Sequence, residues 1–363
     1  MSQFQIHEDV ENRVEGKVRK VPGRKQKENT FKTSNVENKV HFRSLTNGAV
    51  RPKRKRDELN ENLDKKNEMK QDPKNQPLEE VEVIEIIEES YSCSSNPTTC
   101  EDYRKDIWKH LYKLEIMNPG PKSSYMLKQS NLNWNTRSIL VDWLASVVDE
   151  YNLCNETFHL SINYIDRFLC HISVVKEKFQ LVGAAAMLLA GKMEETYPIV
   201  PKEWPYLTGD AFTLRQILKM ERLVAKVLQY RMQPPTICTF VEHFCTEHKL
   251  DVKTLYLAMY ISDLVLLEGD EYLNHLPSKL AAASVALARY ILNKETTWPK
   301  KFKETTGYTL KQLSPVVERQ HRTFKNSPIK KQQAIQSKYK SDKYEKVALL
   351  KLKPLALNFL KDE

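Results

Sequence analysis

Residues 181–193 read LVGAAAMLLAGKM, and residues 280–292 read LAAASVALARYIL. Each stretch is rich in alanine and apolar nearly all round. Such a helix fits the centre of a bundle, and Gly183, Ala184, Ala185 and Ala186 are small enough to let neighbouring helices approach closely. Working outward from the first stretch, whose helix spans 176–194, residues 135–150 place Ile139, Leu140, Trp143, Leu144 and Val147 at three- and four-residue steps, the period of an amphipathic helix. Asn155 is placed to cap a helix over 156–171, with Leu160, Tyr164, Phe168 and Leu169 inward. Residues 213–230 (TLRQILKMERLVAKVLQY) are strongly amphipathic and stop before Pro234 and Pro235. The pattern then restarts over 236–248, 253–267, 277–292 and 310–325. Matching central helices in two halves predict two copies of one five-helix unit. Ahead of both, residues 101–116 (EDYRKDIWKHLYKLEI) put Tyr103, Ile107, His110, Leu111 and Leu114 on one face of a helix that Pro119 and Pro121 end. No segment alternates as a strand does, so the expected fold class is all-α.

The chain has 363 residues, enough for two domains and a tail at roughly 100–200 residues per domain. Its nine glycines stand at 16, 23, 48, 120, 183, 191, 209, 269 and 307, never closer than seven apart. That spacing excludes G-x-G-x-x-G and G-x-x-x-x-G-K loops, whose backbone cradles nucleotide phosphates. Neither H-E-x-x-H nor a hydrolase triad signature is present, so no enzyme is expected. Cys93, Cys100, Cys154, Cys170, Cys238 and Cys245 form no C-x-x-C pair and no zinc spacing. No metal or other cofactor is therefore expected, and the thiols read as reduced and mostly buried in an intracellular protein. No apolar run reaches the about 18 residues that would predict a membrane span, and the opening MSQFQIHEDVEN lacks the apolar core of a secretory signal.

The net charge of +10 is unevenly spread. Residues 1–75 carry 19 basic and 12 acidic side chains, residues 76–102 none and eight, and the remainder 38 and 27. The first segment is rich in Asn, Lys, Glu and Gln and has no apolar periodicity. It buries too little surface to offset the entropy of ordering, so residues 1–100 read as a disordered regulatory arm. Within it, residues 78–91 (LEEVEVIEIIEESY) alternate acidic and aliphatic side chains, fit for a solvated spacer or for a segment that orders against a partner. Arg51, Lys53, Arg54, Lys55 and Arg56 crowd five cations into six positions. An import receptor's acidic groove reads such a cluster; the bland alternative is a solvated charge run. Behind the arm we place an N-terminal helix and linker at 101–134, bundles at 135–232 and 233–330, and a tail at 331–363.

Residues 136–144 (TRSILVDWL) and 155–169 (NETFHLSINYIDRFL) resemble the cyclin family. The likeness continues through 181–195, 219–223 (KMERL), Pro235 and Thr236, 268–276 (EGDEYLNHL), and Lys338 and Tyr339, over roughly residues 101–350. Within the family it is with the A type, of S phase and G2/mitosis. The resemblance implies two tandem five-helix cyclin boxes. It implies a regulatory subunit without chemistry of its own that binds and activates a cyclin-dependent serine/threonine kinase and recruits its substrates. Such a subunit binds the active kinase arrangement more tightly than the inactive one and so shifts its population. A nuclear location, with some protein in the cytoplasm, follows from the same likeness. The B-type mitotic cyclin is the alternative within the family. Outside it stands a DNA-binding protein of the general-transcription-factor type with the same doubled unit. The basic cluster lies in the arm rather than on a helix face, so nucleic acid is not the expected partner.

Residue by residue, the resemblance places Lys192 and Glu221, with the apolar Leu189, Met193, Tyr230 and Met232, at the kinase contact. An exposed ion pair contributes about 0.2–1 kcal/mol, a fully buried large apolar side chain about 1.5–3 kcal/mol. The apolar residues are expected to supply affinity and the charges register. Arg137 and Asp166 match a buried ion pair between the first two box helices. Ile139, Leu140, Trp143, Phe179 and Gln180 match a shallow groove that docks R-x-L segments of substrates and inhibitors. There the sequence departs from the family. Thr136 replaces a methionine, and Ser146 and Gly209 stand where acidic residues grip the motif's cation, with Asp149, Glu150 and Asp210 nearby. Lys27, Glu28 and Asn29 resemble the KEN degron read by the ubiquitin ligase of mitotic exit, and Arg56 to Leu59 the R-x-x-L destruction pattern. Ser327 and Pro328, with Lys330, resemble a site for the bound kinase, against the plainer reading of a loop serine.

Overall fold

The structure, a computed structural model, describes residues 103–118, 120–294 and 297–355. The KEN-like triplet, the basic cluster at 51–56 and the R-x-x-L pattern lie outside these residues. Among the described residues every regular element is helical. Helix α1 (Arg104–Met117) leads through a 3-10 segment (Ser123–Lys128) to α2 (Trp134–Glu150), α3 (Asn155–His171), α4 (Lys176–Glu194), the short α5 (Trp204–Leu207) and α6 (Leu214–Val227). The set repeats as α7 (Ile237–Glu247), α8 (Val252–Glu268), α9 (Pro277–Ile291), the short α10 (Lys300–Thr306) and α11 (Leu310–Asn326), followed by α12 (Ala334–Tyr339).

The sequence marks where these helices start. Asn133 Oδ1 accepts the Thr136 N–H at 2.8 Å and opens α2. Helices α6 and α11 open with the same pattern, Thr213-Leu-Arg-Gln216 and Thr309-Leu-Lys-Gln312. In each, the threonine hydroxyl accepts from the glutamine N–H at 3.3 Å and the glutamine Oε1 accepts from the threonine N–H at 2.9 Å. This reciprocal cap is a second repeat signature beside the alanine-rich helices. Helix α3 begins otherwise than expected. Its cap is Cys154, whose Sγ accepts the Thr157 N–H at 3.4 Å. Asn155 is the first helical residue, and its side chain instead accepts from Lys338 Nζ at 2.5 Å.

Helices α4 and α9 sit at the centres of the two bundles. Ala184, Ala185, Ala186 and Ala190 of α4 are fully buried. Gly183 lets α2 approach closely: a Cβ there would stand 2.7 Å from Leu140 Cδ1, so a larger residue would force the Leu140 side chain to shift. In α9, Ala281, Ala282, Ala283 and Ala286 are fully buried, and the buried Gln320 of α11 donates to Leu280 O at 3.1 Å and to Ser284 Oγ at 3.0 Å.

Helix α1 lies on the second bundle through a face rotated from the expected one. Tyr103, Ile107 and His110 are exposed, and Leu111 and Leu114 are partly buried. Trp108 stacks on His243 and Tyr112 packs on Phe240, both on α7. Burial, and after it the Arg104 and His248 charges, hold His243 down to about 3, so a neutral ring meets Trp108. Glu115 is buried and accepts from the Ser278 N–H at 2.6 Å and Ser278 Oγ at 2.7 Å. It caps α9, whose own N-cap Leu276 has no side chain able to do so. The large rings and this buried cap outweigh the aliphatic stripe.

Ser327 is no loop serine and no accessible kinase site. It is 4% exposed, donates to Phe324 O at 2.8 Å and meets Tyr260 OH at 3.0 Å. Cys238 and Cys245 are buried and Cys170 partly so, whereas Cys154 is exposed.

Candidate functional site

The last turn of α4 leaves the core. Residues 181–188 are all buried, Leu189 is partly buried, and Lys192, Met193 and Glu194 are exposed. Lys192 Nζ donates to Glu221 Oε1 of α6 at 2.5 Å; the lysine side chain is 40% exposed and the glutamate 12%. Leu189 and Met193 flank Lys192 on the same helix face. Gln229 and Tyr230 then adopt φ of 54° and 58°, a left-handed turn that ends α6 and leaves Tyr230 74% exposed. Met232 is buried, and its carbonyl accepts a hydrogen bond from Tyr164 OH. The structure thus brings Lys192, Glu221, Leu189 and Met193 to one place. Tyr230 projects from the turn after α6, whereas Met232 is buried and is not among the surface residues. Glu195, which the sequence reading missed, fixes this end of α4. Its Oε1 accepts from the Cys154 N–H at 2.8 Å and from Thr157 Oγ1 at 2.6 Å. Those donors lie 41 and 38 residues away, so no local spacing signals them.

Arg137 and Asp166 form a bidentate pair, with Nε and Nη2 each 2.7 Å from a carboxylate oxygen and both side chains at most 2% exposed. Tyr125 OH donates to the same carboxylate at 2.7 Å. Beyond joining α2 and α3, Arg137 Nη1 donates to Leu266 O of α8 at 2.7 Å, which ties the two bundles together. Gly269, with φ +68°, permits this approach, since a Cβ there would stand 2.5 Å from Arg137 Nη1. A second buried junction centres on Asp263 of α8. His159 Nε2 lies 3.0 Å from Oδ1, Tyr339 OH donates to Oδ2 at 3.0 Å, and Lys338 Nζ is 3.5 Å away. Burial pushes the Asp263 carboxyl up, but Lys338, His159 and Tyr339 together outweigh it and hold the group below the usual carboxylate range. These junctions keep the α4–α6 face on a rigid support.

The groove residues divide by depth. Leu140 and Phe179 are buried, while Ile139, Trp143 and Gln180 are partly exposed above them. Thr136 is buried and donates to Asn133 Oδ1 at 3.0 Å. Ser146 Oγ donates back to Asp142 O at 3.2 Å, and Gly209, at φ +65°, faces open space. Asp142 Oδ1 accepts the Ala334 N–H at 2.9 Å and so serves the C-terminal segment. Asp149, Glu150 and Asp210 are exposed. Among the described residues no group of three or more His, Cys, Asp or Glu side chains is placed to hold a metal ion, and no helix is long and apolar enough to cross a membrane.

Residues 106–233 match the cyclin N-terminal domain, and residues 235–353 match the cyclin C-terminal domain. The chain belongs to the cyclin family. Cyclin-A2 of Gallus gallus is 44% identical over 255 residues, 70% of this chain and 64% of that protein. Human cyclin-A2 is 43% identical over 266 residues, 73% and 61% of the two chains. The G2/mitotic-specific cyclin-A of Patella vulgata is 42% identical over 258 residues, 71% and 60%. The chain therefore spans a little under two thirds of the length of these relatives. A viral cyclin from herpesvirus saimiri, 20% identical, superposes with a TM-score of 0.54 over 60% of this chain and 96% of its own, which supports the two-box fold.

Proposed function

We propose that this cyclin is a regulatory subunit, without an active site of its own, that binds and activates a cyclin-dependent serine/threonine kinase in S phase and at the G2/M transition. The observation that carries this reading is the open end of α4, where Leu189 and Met193 flank a lysine fixed by Glu221. The apolar side chains supply affinity and the ion pair sets register. Likeness to A-type relatives supports the cell-cycle stage. The test is histone phosphorylation by a kinase monomer already phosphorylated on its activation loop, with and without the full chain. Strong activation is expected. If no cyclin-dependent kinase responds, and a DNA shift assay over a salt series shows binding, the transcription-factor alternative replaces this one.

The groove over Leu140 and Phe179 is assigned to R-x-L segments of substrates and inhibitors, with a weakened preference for the cation. Ser146 is turned back onto its own helix, Gly209 has no side chain, and Asp142 is engaged by Ala334. Changing the peptide's arginine to alanine should cost less affinity here than on a cyclin with acidic residues at both positions. Equal losses would contradict the assignment. Nuclear import through residues 51–56 and turnover by the ubiquitin ligase through residues 27–29 complete the proposal. Both are checked by following a tagged chain with each cluster replaced by alanine.

A further inference from the structure

A cleft of about 400 Å3 opens where the linker 120–128 passes the C-terminal ends of α3 and α6. Its charged lining has one sign: Lys122, Lys128, Arg167 and Arg231, joined by His171. No carboxylate lines it. Asp166, which Tyr125 of the lining touches at 2.7 Å, is already taken by Arg137. Among the described residues no ion pair engages any of the four cations. A second cleft, of about 300 Å3 between α2 and α8, shows the contrast. There Glu268 pairs with Lys330, and Glu271 with Arg319 at 2.7 Å.

The basic cleft is also preorganised. Gln129 Nε2 donates to Leu169 O at 2.7 Å and to Ile172 O at 2.8 Å, and its Oε1 accepts the Val174 N–H at 3.1 Å, which pins the linker to the end of α3. Asn274 Nδ2 donates to Ser123 Oγ at 2.9 Å and holds the linker's other side. Arg167 Nη1 donates to Arg231 O at 2.9 Å. The left-handed turn at Gln229 and Tyr230 brings Arg231 back to that contact. Burial, and after it the Arg231 charge, hold Arg167 below the usual guanidinium range against the opposing pull of Tyr164. Like charges crowded on a fixed frame cost free energy that a bound anion relieves.

We propose that this cleft is a phosphate-recognition site that takes a phosphoserine or phosphothreonine side chain of a protein partner. A dianion suits a cleft lined by guanidinium and ammonium groups with no carboxylate among them. The cleft exceeds the size of one phosphoryl group and leaves room, beside Gly120, Pro121 and Val227, for flanking peptide. Nucleic acid fits less well: the four cations line a single cleft of about 400 Å3 rather than an extended track, and Tyr125, at 3% exposure, offers no face for a base to stack on. Arg231 lies between Tyr230 and Met232, so the cleft borders the proposed kinase face, while Lys122, Lys128 and Arg167 stand apart from the residues assigned to it.

The test uses the full chain and a fluorescent neutral peptide carrying one phosphoserine, read by anisotropy beside its unphosphorylated twin. The phosphopeptide should bind at least about tenfold more tightly. The double variant Lys122→Gln, Lys128→Gln, which leaves the turn at 229–231 intact, should lose most of that preference while still activating the kinase, and Lys300→Gln with Lys303→Gln should change neither. A salt series on the wild-type chain gives a reading free of folding effects, since only phosphopeptide affinity should fall steeply as salt rises. Equal affinity for the two peptides overturns the proposal. So does inorganic phosphate competing at the peptide's own affinity, which would mean a free-anion site. An oligothymidylate that binds more tightly than the phosphopeptide, and is lost in the same double variant, also overturns it.

Discussion

Helices α4 and α9 match in place and alanine content, yet their ends differ. The end of α4 carries Lys192 and Met193 out to solvent and leaves Leu189 only partly buried beside them. Helix α9 is closed at both ends. Glu115 caps its start, and Ile291 at its finish is 5% exposed. The C-terminal segment wraps over that finish, with Tyr290 OH donating to Pro354 O at 2.7 Å and Lys353 Nζ donating to Asn293 Oδ1 at 2.6 Å. Among the described residues nothing comparable covers Leu189 and Met193. One copy of the unit is therefore sealed by added segments and braces the other, which keeps an open, apolar end. Apolar surface left uncovered on a rigid frame is what a partner helix can bury.

The bracing is the first part of this contrast to break. Asp166→Ala leaves Arg137 charged and buried at the junction of both bundles. The expected loss is about 3–5 kcal/mol in a denaturant melt, and an unchanged melt would refute the structural role. Gly269→Ala should cost about 1–3 kcal/mol, since it adds a Cβ against Arg137 to a left-handed backbone. Gly307→Ala, also at positive φ but facing open space, should cost less, so equal losses would mean that the contact with Arg137 is unimportant.

The Asp263 junction predicts a pH signature. Its folded carboxyl is held below the unfolded value of about 3.9. Its stabilisation is therefore fully present above that value and is lost as pH falls through the lower folded one. Asp263→Asn should flatten the acid side of the stability profile below about pH 4 relative to wild type. Parallel profiles would exclude this carboxylate as a source. The smallest expected effect is Glu115→Ala, a lost cap worth about 0.5–2 kcal/mol that loosens α1 from the second bundle. Greater hydrogen exchange confined to α1 and the start of α9 would report it.

Much of this contrast is legible in the sequence. The alanine-rich repeats locate both central helices, and apolar periodicity gives the helices around them. The rest depends on long-range partners. A 3.6-residue period shows that α1 is amphipathic, but Trp108, Tyr112 and Glu115 are selected by Phe240, His243 and Ser278 more than 100 residues away. Asn155 has the chemistry of a cap and is diverted to Lys338. Ser327 has the sequence of a kinase site and is buried under Tyr260. The basic cleft draws its cations from three separated segments, so no short window displays it.

The most direct test of the open-end account replaces Leu189 and Met193 together by aspartate in the full chain and titrates it against a pre-phosphorylated kinase. Leu349→Asp, at a residue 59% exposed in the C-terminal segment, is the control. With melting unchanged, the account predicts activation weakened about a hundredfold for the double variant and untouched for the control. Wild-type activation by the double variant would contradict it.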